Sequence, residues 1–177
     1  KIELLTQSAT ILFDFLKDSN GAADIYEKIF ELNKSKEIVG VLEEIYKNTE
    51  DFEKLINIYK KAVEICEIFD EKKVYYQKII TIFIEKTNQL VLAIPYIEEI
   101  ISNEPQIAEN YEMFENVLEK LNNFYKLDEI FQKEYDNISD TTRKEQVLYL
   151  KAVNAKERLE DYDICIFALQ TLLEANP

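Results

Sequence analysis

Along most of the chain apolar residues return every third or fourth position, the spacing that gathers them on one face of an α-helix. Over 37–49 they are Ile38, Val41, Leu42, Ile45 and Tyr46. Over 51–69 they are Phe52, Leu55, Ile58, Tyr59, Ala62, Val63 and Cys66, and over 71–87 Tyr76, Ile79, Ile80, Phe83 and Ile84. Polar breaks interrupt the pattern at 47–51, 69–73, 86–89, 102–106, 121–123, 137–142 and 159–163. Their Asp, Asn, Ser and Thr residues are suited to cap the following helix by accepting its free N–H groups. Residues 140–142 give the clearest start, and Asp161 with Tyr162 and Asp163 reads as another. The breaks predict ten helices in five hairpins, at about 1–35, 36–70, 71–105, 106–139 and 140–177. Pro105, one step past a helix end, forces a turn, whereas Pro95 falls in the first turns of a helix, where a missing N–H costs little.

Sliding the chain by 72 residues lays 37–105 over 109–177 with no gap. Phe52 then meets Phe124, Lys54 meets Lys126, Leu55 meets Leu127, Ile58 meets Ile130, and at the far end Pro105 meets Pro177. A shift of 71 lays 22–34 over 93–105, with Ala22 on Ala93 and Ile29 on Ile100. Prolines in matching places thus close equivalent units of an internal repeat. Each period holds two hairpins. A helical pair of ~35 residues cannot bury its apolar face alone, but stacking each pair on the next does so, which is the logic of an α-solenoid.

The recurring positions resemble the tetratricopeptide repeat (TPR) family. Its ~34-residue pattern sets a large and a small residue on the first helix, an Ala and an aromatic on the second, and a closing Pro. Ala93, Ile97, Ile100 and Pro105 match the second half of that pattern. So do Cys165, Leu169, Leu172 and Pro177, with Cys in place of Ala, and Ala22, Tyr26 and Ile29, with Lys34 where Pro would stand. First-helix matches are Leu5, Ala9 and Leu12; Tyr76, Ile80 and Phe83; and Leu148, Ala152 and Ala155. The second and fourth units depart from the pattern, with Leu55 and Leu127 at the Ala slot, and this alternation makes 72 a cleaner period than half of it. The resemblance covers essentially the whole chain. It implies an all-α superhelix, a TPR-like solenoid of about ten helices in five antiparallel hairpins, as a single repeat domain over 1–177; HAT or HEAT-like arrays are the alternative.

Composition narrows the function. The chain has no histidine and two glycines, Gly21 and Gly40. The commonest general base and transition-metal ligand is therefore missing. Neither a phosphate-cradling loop nor a dinucleotide fingerprint can be written, and few tight hairpins are expected. The two cysteines, Cys66 and Cys165, lack the paired spacing of a zinc site and read as buried small hydrophobes. Glu43 with Glu44 and Glu98 with Glu99 point about 100° apart on a helix and read as solvated faces, so no enzyme, cofactor or metal is expected. A net charge of −14 disfavours nucleic acid and anionic lipid and favours a cationic partner. The apolar runs 79–84 and 90–97 fall far short of the ~20 residues of a membrane span, so no membrane insertion is expected. Lys1 opens directly into apolar sequence, which reads as an excerpt of a longer repeat protein; sorting signals can lie outside it, and the compartment stays open with the cytoplasm favoured.

Most aromatics fall on the apolar stripes, among them Tyr26, Tyr46, Tyr59, Phe83, Phe114, Phe124 and Phe131, whereas Tyr75, Tyr125 and Tyr149 fall off them and are candidates for an interface. The resemblance implies a binding groove on the concave face, lined by the first helix of each hairpin. Its outward slots here are Glu37 and Glu44; Gln77 and Thr81; Glu109, Glu112 and Asn116; and Gln146, Tyr149 and Lys156. The acidic slots predict a peptide or helix of a partner protein carrying a basic segment. The Lys, Asn and Arg set with which TPR cochaperones clamp C-terminal carboxylates cannot be placed, because the comparable slots carry Glu and Gln. A non-enzymatic interaction scaffold is the expected function. The alternatives are a structural spacer in a large assembly, with further repeats stacked at both ends, or a domain that regulates or tethers a larger protein.

Overall fold

The computed structural model describes residues 2–175. Among them are ten α-helices and no strand. The chain divides into two compact units, Lys1–Asn88 and Gln89–Pro177, a division that falls inside the expected third hairpin. Unit 1 holds α1 (Ile2–Thr10), α2 (Ser19–Leu32), α3 (Lys36–Asn48), α4 (Phe52–Ile65) and α5 (Phe69–Thr81). Unit 2 holds α6 (Leu90–Asn103), α7 (Ala108–Lys120), α8 (Phe124–Asn137), α9 (Thr141–Asn154) and α10 (Tyr162–Ala175). Within each unit every helix packs on the helix before it and the helix after it, the nearest-neighbour order of a repeat array rather than of a closed bundle. The closing role expected of Pro177 lies outside the described residues.

The helix starts are set by side chains in the polar breaks. Asp18, Ser35, Asp51, Asn123 and Asp140 each accept a hydrogen bond from the backbone N–H three residues on, and Asp161 accepts from Ile164 N–H at 3.0 Å. Such a cap is worth about 1 kcal/mol over Ala. Gly21 leaves room for one of them, since a Cβ there would stand 2.4 Å from Asp18 Oδ2 and push that side chain aside. The apolar stripes then close the seams: Ala93, Ile97 and Ile100 are fully buried, as are Ala9, Ala22 and Ile29. Val39, Ile56 and Ile82 are buried as well, although they lie off the stripes read from the sequence, because each helix is flanked by two neighbours and needs a wider apolar arc. Leu169 departs from its family slot and stays partly exposed.

Two features of the first helices escape sequence patterning. α1, α5 and α9 each continue into a π-helical turn, Ile11–Phe15, Ile82–Lys86 and Ala155–Leu159, whereas α3 and α7 do not. The three turns begin 71 and 73 residues apart, so the two-hairpin period is also a period of backbone geometry. The turns after the first helices then pass through left-handed backbone at Lys17, Glu50, Asn88, Asn122 and Glu160, with φ between 51° and 56°. Scarcity of glycine therefore does not mean absence of positive φ. Non-glycine residues occupy these positions, each at a steric cost of about 1–2 kcal/mol that the packed hairpin overrides.

Candidate functional site

In unit 1, α3 carries Glu37 and Glu44 and α5 carries Gln77 and Thr81, all four exposed. Glu37 sits in the first turn of its helix, where its own backbone N–H and the Ser35 hydroxyl hold the carboxyl below the usual range. Gln77 and Thr81 stand on the wall of a cleft of about 540 Å³. Val74, Gln77, Thr81 and Ile82 form one wall at helical spacing, and Phe52, Leu55 and Tyr59 of α4 form the other. Lys78 stands beside them, with Nζ 5.2 Å from the Tyr59 ring and 2.7 Å from Glu43 Oε2. The same carboxylate accepts from Lys47 at 2.6 Å. Burial works to raise the Glu43 carboxyl, and the two lysines outweigh it and hold it below the ordinary range.

In unit 2, α7 carries Glu109, Glu112 and Asn116, α9 carries Gln146 and Tyr149, and Lys156 lies in the π turn; all are exposed. Glu109 occupies the first turn of α7, where the helix dipole favours an anion. Glu112 is not free. It pairs with Arg143 Nη1 at 3.2 Å, across from α7 to α9. Asn116 donates its side-chain amide to Glu112 O within its own helix, at 2.7 Å.

Arg143 is the centre of a buried ionic cluster. Its Nε and Nη2 donate to the two oxygens of Glu134 on α8, at 2.7 and 3.1 Å, and Nη2 also donates to Glu115 on α7 at 2.9 Å. Three carboxylates surround one guanidinium, and the Glu134 side chain is fully buried. Both Glu115 and Glu134 cannot hold full charge cheaply in that setting. Burial pushes the Glu115 carboxyl up to about 8; a hydrogen bond to Glu134 and the Glu134 charge add to the rise, while Arg143 pulls against it. The cluster thus favours the protonated form of Glu115, which can donate to Glu134. Nearby, Lys151 is buried and bonds Asp128 Oδ2 at 2.9 Å.

Sequence reasoning missed the lysines of the unit 1 cleft and the Arg143 cluster. The one available signal for the latter is that Arg143 is one of two arginines in a chain otherwise supplied with lysine, and Arg suits a bidentate carboxylate. Tyr125 and Tyr149 are exposed as expected, but Tyr75 is half-buried and its ring lies 5.9 Å from Tyr59. Both cysteines are buried free thiols, and burial raises Cys66.

No protein-family model and no curated protein matches the sequence. Solved structures do. A chain of the Naa15/Naa10 complex bound to HypK-THB matches with a TM-score of 0.65 at 16% identity, covering 99% of this chain and 26% of that one. YrrB, a TPR protein with an unusual peptide-binding site, matches at 0.49 and 16% identity over 98% of this chain and 85% of its own. MamA from Desulfovibrio magneticus RS-1 matches at 0.47 and 13% identity over 98% and 94%. The Naa15/Naa10 match carries the assignment of the fold: the chain is an all-α, TPR-like helical repeat. This chain spans about a quarter of that one.

Proposed function

We propose that the protein is a non-enzymatic interaction scaffold, one repeat domain over 1–177, that holds a peptide or helix of a partner protein on the faces of its first helices. The carrying observation is that all ten outward slots are exposed while most apolar residues of the same helices are buried or half-buried, so these faces are largely left free by the packing of the array, although Glu112 also pairs with Arg143. Exposed helix faces presented by nearest-neighbour repeats within each unit suit a peptide or helical partner. The matched fold in the Naa15/Naa10 complex, seen there with HypK-THB, is in line with a role in protein association. Glu109 and Glu112 on α7 favour a Lys- or Arg-bearing segment at that place.

Benzoylphenylalanine placed at 149 and then at 109 should cross-link to one partner in the native cell. Glu109→Lys should weaken that partner about tenfold and flatten its salt dependence. Glu109 is the cleaner choice, because changing Glu112 also disturbs Arg143. Unchanged affinity for Glu109→Lys removes the charged-groove reading.

A second reading, a spacer within a larger assembly, is favoured by one feature. Tyr162, Ile166, Leu169 and Leu173 form a single stripe on α10 and are exposed. Their counterparts 72 residues earlier include Ile97 and Ile101, which are fully buried in unit 2, where α6 packs on α7. Light scattering distinguishes the readings: end-to-end association that Ile166→Glu abolishes supports the spacer, and a monomer at all concentrations excludes self-stacking through α10.

A further inference from the structure

The charge of the unit 1 cleft runs against that of the protein. Lys47, Lys78 and Lys86 line it, with Glu50 the acidic residue among its lining side chains. Even with Glu43 added, three ammonium groups face two carboxylates, in a chain whose net charge is −14. Lys78 is held in place, stacked over Tyr59 and Tyr75 and bonded to both oxygens of Glu43. Lys86 makes no ion pair among the described residues and is exposed. The walls between these charges are apolar and aromatic: Phe52, Leu55, Val74 and Ile82.

We infer that this cleft is a binding subsite for an acidic–apolar peptide segment, in which a large apolar side chain enters between α4 and α5 and flanking Asp or Glu side chains meet Lys47 and Lys86. The inference rests on the interaction-scaffold reading and deepens it, since it assigns this part of the surface a ligand of opposite charge to the one expected at Glu109 and Glu112. Three physical points support it. A volume of about 540 Å³ lies within the usual range for small-ligand pockets and has room for one or two side chains. The apolar walls supply affinity by removing apolar surface from water, and the lysines supply direction and sign. Glu43 and Glu50 offset part of this lysine charge and Lys86 keeps its own, while at physiological salt charges more than about 8 Å from the mouth are largely screened. The fixed Lys78 adds preorganisation, so little side-chain freedom is lost when a ligand arrives.

The test is selection from a random hexapeptide library displayed on phage as an N-terminal fusion, so that no free C-terminal carboxylate is offered, against the whole protein. Selected peptides should carry Phe, Leu or Met next to Asp or Glu, and their affinity should fall several-fold between 50 and 300 mM salt. K47E/K86E should weaken a selected peptide at least tenfold, and Lys86→Glu alone about threefold; the single variant has no internal ion pair to disturb and guards against misfolding of the double one. Thr81→Phe should block binding by filling the cleft with helicity unchanged. A pool enriched in Lys and Arg, an empty pool, or acidic peptides indifferent to both K47E/K86E and Thr81→Phe overturns the inference. Cross-linking from 149 and its response to Glu109→Lys report separately on the scaffold reading. Failure here with that cross-link intact removes this subsite alone.

Discussion

Glu43 in unit 1 and Glu115 in unit 2 stand 72 residues apart, at the same place in the repeat, and their carboxyls are driven in opposite directions. Glu43 is held low by two lysines, Lys47 on its own helix and Lys78 on α5. Glu115 is pushed up to about 8, because burial and Glu134 outweigh its single cation. The helix and its position are the same; the neighbours differ. At the register of Lys78 the chain of unit 2 carries Leu150, and at the register of Ala62 it carries Glu134. A repeat conserves the seam and leaves its charge free to vary. Unit 1 has opened the seam into a lysine-rimmed cleft of about 540 Å³, whereas the equivalent residues of unit 2, Phe124, Leu127, Phe131, Leu150 and Arg158 among them, enclose only about 60 Å³ and Glu115 turns to Arg143 instead.

The largest difference should appear when the cation is removed. Arg143→Met leaves three carboxylates facing one another, one of them fully buried, and should destabilise the protein by about 3–5 kcal/mol, since breaking a buried pair strands its partners. Lys78→Met should cost no more than about 1 kcal/mol, because Lys78 is about a third exposed and Lys47 still neutralises Glu43. Urea denaturation of the two variants beside the parent measures both. Similar losses would mean that the two seams are not as different as their geometry implies.

Proton linkage gives the next test. An acid whose folded pKa is raised contributes stability that is fully present below its unfolded value and lost as pH rises through the folded one. For Glu115 that window runs from 4.5 to about 8, over which the parent should lose stability from this group, by at most about 5 kcal/mol at ~1.36 kcal/mol per pH unit. Glu115→Gln keeps a hydrogen bond to Glu134 without the proton, so its stability should hold level across the same window and exceed the parent's at pH 8. Glu43 has the reverse sign, its contribution present above 4.5 and lost as pH falls through its lower folded value. Glu43→Gln should therefore flatten the acid side of the curve and leave the alkaline side alone. An undiminished alkaline slope in Glu115→Gln would contradict the shared proton.

These contrasts show where sequence reading succeeds. The helices and hairpins were legible because packing imposes a 3.6-residue period on Leu42, Ile45 and Tyr46 and because Asp51, Asn123 and Asp140 announce helix starts by their capping chemistry. Exposure of Glu37, Glu109 or Gln146 follows from the same period, since what is off the stripe faces water. The sign of the cleft was not legible. Its lysines come from the last turn of α3, the last turn of α5 and the π turn, and only the fold brings 47, 78 and 86 together. Arg143 likewise gathers Glu112 and Glu115 from α7 and Glu134 from α8, and no local spacing encodes that meeting. A reading built on the exposed Glu37 and Glu44 alone thus overlooks the lysine-lined cleft in the same unit.

The smallest contrast lies in the turns that join the paired helices. Glu50 and Asn122 are equivalent, 72 residues apart, with φ of 53° and 52°. Their backbone demand is the same, yet Asn tolerates left-handed geometry through its short polar side chain and Glu does not. Replacing each with Gly removes the Cβ clash in the folded state and adds freedom to the unfolded chain, two effects of opposite sign. For Glu50 the clash is the larger, so Glu50→Gly should stabilise by about 0.5–1 kcal/mol. For Asn122 the two nearly cancel, and Asn122→Gly should change stability by no more than a few tenths of a kcal/mol. Equal gains from the two substitutions, measured by thermal melting, would show that residue type at the turn is immaterial and that the hairpin alone imposes its conformation.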